Sequence, residues 1–257
     1  MKPILNKFML RQATIDSGSL AVMSSIIHVI AEQGEYRGIV FLGEQKGGKF
    51  ALKVIDYTEG SQADAVPPKQ TNIDLAALDN SAGAKGDKGS TSFTLRTGGQ
   101  VVFYVSTGSK EYAVEIYRLE KQKEPIKVFD SRVLGQGDIF VAHVMRPGSY
   151  AIRNVKGEGR AHLKVEYPER GKLALNIDPV MVECSNGTMN PDEVKVQSVQ
   201  AVMFSCTQES RITIELKIPE DRPRPGPSPA TLASMQKKEK IGEAGQKAIL
   251  RKIRFFG

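Results

Sequence analysis

The chain has 257 residues, of which 40% are hydrophobic, with no tryptophan and a formal net charge of +7. This length allows one large domain or two small ones. No run of about 18 apolar residues occurs, so the sequence predicts no transmembrane helix. Ser24, Ser25 and His28 interrupt the apolar stretch from Leu20 to Ala31, and no small-x-small cleavage motif follows. We therefore expect a cytoplasmic location rather than secretion.

The positive charge is concentrated at the C-terminal end of the chain. Residues 221–257 contain nine Lys or Arg against three acidic residues, which leaves the other residues close to neutral. A basic chain indicates a nucleic-acid-binding surface when its charge lies on a folded face. Here the charge belongs to an appendage, and a basic nucleic-acid-binding fold is not predicted.

The first unit, residues 1–57, contains two predicted strands. Arg37 to Leu42 and Phe50 to Ile55 are rich in β-forming residues, and the glycine-containing segment Gly43 to Lys49 between them predicts a hairpin. Ser19 to Ala31 is compatible with a helical stripe or with a buried strand. The next segment, residues 58–90, is poor in large apolar groups and predicts a linker or long loop. A short helical or extended piece is expected there around Ile73 to Leu78.

Residues 91–168 alternate apolar and polar side chains in one run after another. Such runs give each strand one buried and one wet face, and several in succession predict a central β-sandwich. Residues 172–219 add further strands but bury too little surface to fold alone. They complete a sheet with residues 1–57 or pack on the sandwich. The apolar positions that carry the pattern are Phe93, Leu95, Val101, Phe103, Val105, Tyr112, Val114, Ile116, Ala161, Leu163 and Val165.

The last segment, residues 220–257, begins with a spacer in which every second residue from Pro223 to Pro229 is proline. Proline at this density imposes an extended, semi-rigid chain. Beyond it, apolar and basic residues fall mainly on different faces of a helix that we expect to fold on a partner. The predicted partner-binding residues are Lys240, Lys247, Ile249, Arg251, Lys252, Ile253, Arg254, Phe255 and Phe256.

The chain contains only two cysteines, Cys184 and Cys206. They are either two buried thiols on strands of one sheet or a disulfide between neighbouring strands, because sequence alone does not give their separation. His28, His143 and His162 show no metal-ligand spacing. No Ser/His/Asp or Cys/His arrangement has a local context typical of catalysis. The sequence therefore predicts no catalytic residue, no metal and no cofactor.

Three segments carry a resemblance to known β-sandwich families: Phe93 to Val105, Tyr112 to Tyr117, and Pro147 to Ile152. Together they resemble the bacterial pre-peptidase C-terminal type of jelly-roll domain, over residues 91–167. They are also similar to cupredoxin sandwiches. The strand after Pro147 carries Arg153 and Asn154 where a cupredoxin has its copper-binding cysteine, so the resemblance does not extend to copper. The pre-peptidase resemblance implies an accessory, non-catalytic module.

The sequence thus predicts a mainly β protein: an antiparallel β-sandwich of jelly-roll or cupredoxin-like type, with flanking strands and a C-terminal basic helical tail. The predicted function is a non-catalytic structural or accessory subunit of a larger protein assembly, anchored through that tail, with self-assembly included. The alternative is a module that binds an anionic surface, either membrane or nucleic acid, through the same tail. An enzyme is the third possibility.

Overall fold

The structure is a computed structural model. It describes residues 12–57, 66–82, 91–167 and 178–220, all within the compact unit Met1–Glu220. The predicted tail residues and the proline spacer lie outside the described residues. The fold is mainly β, which confirms the predicted class. Among the described residues, no helix has both the length and the apolarity needed to cross a membrane.

The described residues form 17 strands and one short helix, α1, at Leu75–Ala82. The stretch from Ser19 to Ala31, ambiguous in the sequence, contains a strand. The hairpin predicted around residues 43–49 is present, with its turn at Gly43 and Glu44. The strands are β1 Thr14–Asp16, β2 Ser24–Ile30, β3 Gly34–Leu42, β4 Gln45–Ile55, β5 Gln70–Asp74, β6 Thr91–Arg96, β7 Gly99–Tyr104, β8 Tyr112–Leu119, β9 Ile126–Asp130, β10 Ile139–His143, β11 Gly148–Asn154, β12 Arg160–Glu166, β13 Val180–Ser185, β14 Thr188–Asn190, β15 Glu193–Gln197, β16 Ala201–Cys206 and β17 Ile212–Pro219.

These strands form three sheets. The central sheet has seven strands in the order β14-β13-β16-β10-β2-β7-β5. Two flanking sheets have five strands each, in the orders β6-β4-β3-β8-β9 and β15-β12-β11-β17-β1. The sheets are mixed rather than purely antiparallel, because β4–β6, β5–β7, β12–β15 and β13–β16 pair in parallel. Parallel neighbours need a crossover connection, which alternation within single strands does not reveal.

The strand order contains two copies of one topology. In the central sheet, β13-β16-β10 is followed by the equivalent strands in reverse order, β2-β7-β5. The two flanking sheets also match strand for strand. Strands β1–β8 form module 1 and β9–β17 form module 2, in which β14 is the additional strand. The antiparallel β2–β10 pair joins the modules at the middle of the central sheet and marks a pseudo-two-fold axis.

Individual hydrogen bonds repeat between the modules. Ile212 N donates to Ser17 Oγ at 2.9 Å, and Val114 N donates to Ser131 Oγ at 2.8 Å. The N–H groups of both serines donate back to the carbonyls of the same two partners. Each serine therefore ties the start of one module to the last strand of the other. The sequence carries this feature as Asp-Ser-x-x-Leu in Asp16–Leu20 and Asp130–Leu134.

A buried tyrosine anchors the third strand of each module, β3 and β11. Tyr36 donates its hydroxyl hydrogen to Glu32 O at 2.7 Å, and Tyr150 donates to Arg146 O at 2.6 Å. Burial raises the pKa of the Tyr36 phenol, because the charged form would lose hydration. Each tyrosine follows a glycine by two positions, so Gly148-Ser149-Tyr150 in module 2 has the counterpart Gly34-Glu35-Tyr36 in module 1.

The first strand of each module pairs with the last strand of the other. Strand β1 pairs with β17, and β9 pairs with β8, both antiparallel. Together with β2–β10, three strand pairs cross between the modules. The boundary between them lies after Leu119, inside the segment 91–168. The strands of that segment are distributed over all three sheets.

The core lies between the inner face of the central sheet and the two flanking sheets, as one continuous cluster of buried apolar side chains. In module 1, Phe103 of the central sheet contacts Phe50 and Phe129 of the flanking sheet, with ring centroids 6.3 and 5.7 Å apart. Gly38 faces Phe50 across β3–β4, and a Cβ at Gly38 would lie 1.9 Å from that ring. The equivalent pair in module 2 is Ile152 with Ala161, so the two modules fill this position with opposite size combinations.

Candidate protein-interaction face

The outer face of the module 2 flanking sheet is charged, and several of its charged side chains form ion pairs. Lys195 Nζ lies 3.0 Å from Glu166, and Lys217 Nζ lies 2.6 Å from Glu215. His162 Nδ1 lies 3.2 Å from Glu193. Exposed pairs of this kind contribute little to stability, but their charges keep this face hydrated. Among the described strands of this sheet, Ile218 at the end of β17 is the large apolar residue left well exposed, at 64%.

The outer face of the module 1 flanking sheet carries an ion-pair network around the buried carboxylate of Glu115. Arg132 Nη2 lies 2.9 Å from Glu115 Oε1, and Tyr117 donates its hydroxyl hydrogen to Glu115 Oε2 at 2.6 Å. Lys127 approaches the same carboxylate at 3.5 Å. The Arg132 guanidinium also lies over the Phe41 ring, 4.7 Å from its centroid. These partners satisfy the buried charge of Glu115, so no ligand is needed to account for the network.

The outer face of the central sheet differs from both. Strand register places two rows of side chains across it. The first row is Met181, Met203, Val141, Ser25 and Tyr104. The second row is Ser205, Ile139, Ile27, Val102 and Asn72. We call these two rows, together with Val29, the central face.

The central face is mainly apolar, with Ser25, Ser205, Asn72 and Tyr104 as its polar members. Glu183 lies on β13, next to the edge strand β14, and Asp74 lies on the edge strand β5; the two rows between them contain no charged residue. Met181 is 48% exposed and Val29 is 41% exposed. Neighbouring strands are about 4.8 Å apart, so the six strands from β13 to β5 give a face about 24 Å wide. Met203, Ile139, Ile27 and Val102 are partly exposed, whereas Val141 is buried. A mainly apolar surface of this kind is typical of an interaction site.

Both modules build the central face. The pseudo-two-fold axis at β2–β10 exchanges the two rows, so that Val141 corresponds to Ile27 and Met203 to Val102. Neither module alone presents the whole surface. The sequence carried a signal for it, since Ile26, Ile27, Val29 and Ile30 form an almost continuous apolar run. Such a run indicates a strand with apolar residues on both faces.

A histidine–carboxylate contact lies at the other face of this sheet. His28 Nδ1 lies 2.7 Å from Asp138 Oδ1, and the His28 ring stacks on Phe129 with centroids 4.2 Å apart. Asp138 Oδ2 also accepts from Gly135 N at 2.7 Å. The equivalent residue in module 1, Ser24, accepts from Ala21 N in the same way. Asp138 therefore holds a turn that both modules share.

The two cysteines lie directly opposite each other on the parallel strands β13 and β16. Both are buried and both are free thiols in this structure. The hydrogen bond to Cys206 and burial raise the pKa of the Cys184 thiol, so it stays protonated and unreactive at neutral pH. The buried-thiol alternative matches this arrangement, and a disulfide between the two residues stays a prediction.

The other two histidines of the chain lie on different sheets. His143 lies on β10 in the central sheet and His162 on β12 in a flanking sheet. Burial lowers the pKa of His143, which favours its neutral form. Among the described residues, no group of three or more His, Cys, Asp or Glu is placed to hold a metal ion. The partner-binding residues predicted between Lys240 and Phe256 lie outside the described residues.

Comparison with protein-family models, with curated proteins and with solved structures gives no match for this chain. The resemblance to pre-peptidase C-terminal and cupredoxin domains therefore stays a prediction.

Proposed function

We propose that this chain is a non-catalytic structural or accessory subunit of a larger protein assembly, and that each module is a β-sandwich of jelly-roll type. The observation that supports the proposal most directly is the central face. Side chains such as Met181 and Val29 leave apolar area in water, and covering it contributes about 25 cal/mol per Å². A protein partner provides that cover.

The edges of the central face favour a protein over an anionic surface. Glu183 and Asp74 flank it, whereas a surface that binds anionic lipid or nucleic acid is bordered by Lys and Arg. The anionic-surface alternative would rest on the tail, residues 220–257, rather than on the central face. In the proposed assembly the tail adds a second point of attachment.

The test compares partner capture from the native source by four forms of the full chain and one truncation. Met181→Glu and Val29→Glu place a carboxylate in the central face at exposed positions that tolerate it. Val128→Glu is the matched control, because Val128 is 42% exposed on β9 of a flanking sheet. A chain ending at Glu220 tests the tail.

We expect defined partner proteins with the unaltered chain and with Val128→Glu, and at least tenfold weaker capture with the two central-face variants. Loss of capture in the truncation as well would assign part of the binding to the tail. Equal capture by all forms, with melting temperatures unchanged, would refute the central face as the binding surface. Capture that falls steeply with salt would favour the anionic-surface alternative.

A further inference from the structure

Two arginines face each other at one end of the module 2 flanking sheet. Arg153 on β11 and Arg160 on β12 are directly paired in the antiparallel register, and both are exposed. Within the described residues, neither guanidinium has an ion-pair partner. Like charges in directly opposed positions destabilise a strand pair. The arrangement therefore carries an uncompensated repulsion.

Two of the nearby acids, Asp16 and Glu215, are already ion-paired with other residues. Asp16 lies in the same row as Arg153, two strands away through Thr213, but Arg211 binds it with two contacts of 3.0 and 2.8 Å. Glu215 is ion-paired with Lys217, which lowers the pKa of Glu215, and Arg153 adds a weaker attraction. Both guanidiniums are therefore available to bind an anionic ligand.

The turn that follows is held rigidly by a buried polar residue. Asn154 is 5% exposed. Its Oδ1 accepts from Lys156 N at 3.1 Å and Arg211 N at 3.0 Å, and its Nδ2 donates to Ser210 Oγ at 3.1 Å. The turn and the arginines line an open cavity of 560 Å³, into which Gly157 and Gly159 expose backbone. Glu158 also lines this cavity.

Module 1 has neither the pair of opposed arginines nor the buried asparagine. The positions equivalent to Arg153, Arg160 and Asn154 are Ile39, Lys49 and Val40, from the matching β3–β4 and β3–β8 registers. Two arginines and a buried asparagine in place of these residues converge on one end of one sheet. Since the fold forms in module 1 without them, the shared topology does not require them.

We propose that Arg153, Arg160 and the turn after Asn154 form a binding site for a phosphate group. Two guanidiniums offer forked donors that match phosphate oxygens. Their two positive charges match the charge of about −1.5 to −2 that a phosphate monoester carries at pH 7. The site is separate from the central face, so it stands or falls independently of the proposed assembly role.

The test is thermal unfolding of the full chain titrated with inorganic phosphate at constant ionic strength, with sodium chloride as the balancing salt. The variants are Arg153→Gln and Arg160→Gln, and Arg37→Gln is the control because it removes an exposed arginine from β3 of module 1. We expect a saturable rise in melting temperature for the unaltered chain and the control. Each site variant should bind phosphate about tenfold more weakly.

Three further readouts distinguish a site from general salt effects. Without phosphate, Arg160→Gln should be at least as stable as the unaltered chain, because it removes the repulsion. Glu158→Gln should tighten phosphate binding. Phosphoserine, in a parallel titration, separates a phosphate carried on a protein from free phosphate. The proposal is overturned if the unaltered chain gives no saturable response, or if both site variants respond as Arg37→Gln does.

Discussion

Replacing Val199 with glycine is expected to stabilise the protein. Val199 lies in the turn between β15 and β16 with φ of +76°, a left-handed conformation that a β-branched residue rarely adopts. Its N–H donates to Val144 O at 3.0 Å. The equivalent residue in module 1 is Gly98, with φ of +71° and its N–H bonded to Ile30 O at 2.8 Å. The turn requires this conformation in both modules.

The magnitude follows from three opposing effects. A non-glycine residue held in this region costs about 1–3 kcal/mol, and β-branching places valine near the upper end. Glycine gives back about 0.4–1 kcal/mol through the greater freedom of the unfolded chain. The Val199 side chain is 48% exposed, so its removal forfeits about half of the roughly 1.5 kcal/mol that full burial contributes. The net gain for Val199→Gly is about 1 kcal/mol.

Chemical denaturation and melting temperature measure this change. A gain of about 1 kcal/mol corresponds to about 2–4 °C for a unit of this size. Val155→Gly is the control, because Val155 is 59% exposed in a turn and is not left-handed. It should destabilise. Gly98→Ala should cost about 1–2 kcal/mol from backbone conformation alone, because a Cβ there meets no atom within 4 Å. Equal losses for Val199→Gly and Val155→Gly would refute the argument from strain.

Three further outcomes are expected. Gly38→Ala should lower the free energy of unfolding by more than about 2 kcal/mol, because the added methyl group overpacks against Phe50. Gly38→Ile combined with Phe50→Ala copies the pair in module 2, and a double-mutant cycle should show that the combination recovers part of the stability lost by overpacking. The free energy of unfolding should decline as the pH falls below about 6.5. The reason is that burial lowers the pKa of His143 in the folded protein, so the unfolded chain binds the proton more readily. His143→Gln should flatten this part of the pH profile, and an unchanged profile would contradict the role of His143. A chain cleaved at an engineered site between β8 and β9 should elute as one particle, because β1–β17, β2–β10 and β8–β9 all cross between the modules; separation of the fragments under native conditions would contradict the strand exchange.

Local pattern was sufficient to predict many of the strands, though not β9 or β10. The alternation of Ile212, Ile214, Leu216 and Ile218 predicts β17, although Ile218 is exposed rather than buried, and the glycine-containing turn between β3 and β4 gives the predicted hairpin. Partner choice was not predictable in this way. Strand β1 pairs with β17, almost 200 residues later, and no property of Ile15 or Ile214 by itself selects that partner.

The repeated topology is accompanied by short matches in the sequence that single-strand patterns do not use. Asp-Ser-x-x-Leu, Gly-x-Tyr and Leu-Lys-Val each occur once per module, the last at Leu52–Val54 and Leu163–Val165. The spacing between copies changes along the chain because the connecting loops differ in length. Core positions also exchange size, as in Gly38 with Phe50 against Ile152 with Ala161. Equivalent positions therefore share conformation more than residue identity.

The two modules separate what the fold requires from what function adds. Features present in both, such as the Ser17 and Ser131 bonds and the left-handed turn residues, are needed to close the same topology twice. Features that one module has alone, such as Arg153 and Arg160, are not needed for closure and must be explained by something else. The central face belongs to neither category, because it is complete only when β2 pairs with β10 and so joins the two modules. If the central face binds a protein partner as proposed, its dependence on that pair gives the joining of the two modules a functional reason beyond added stability.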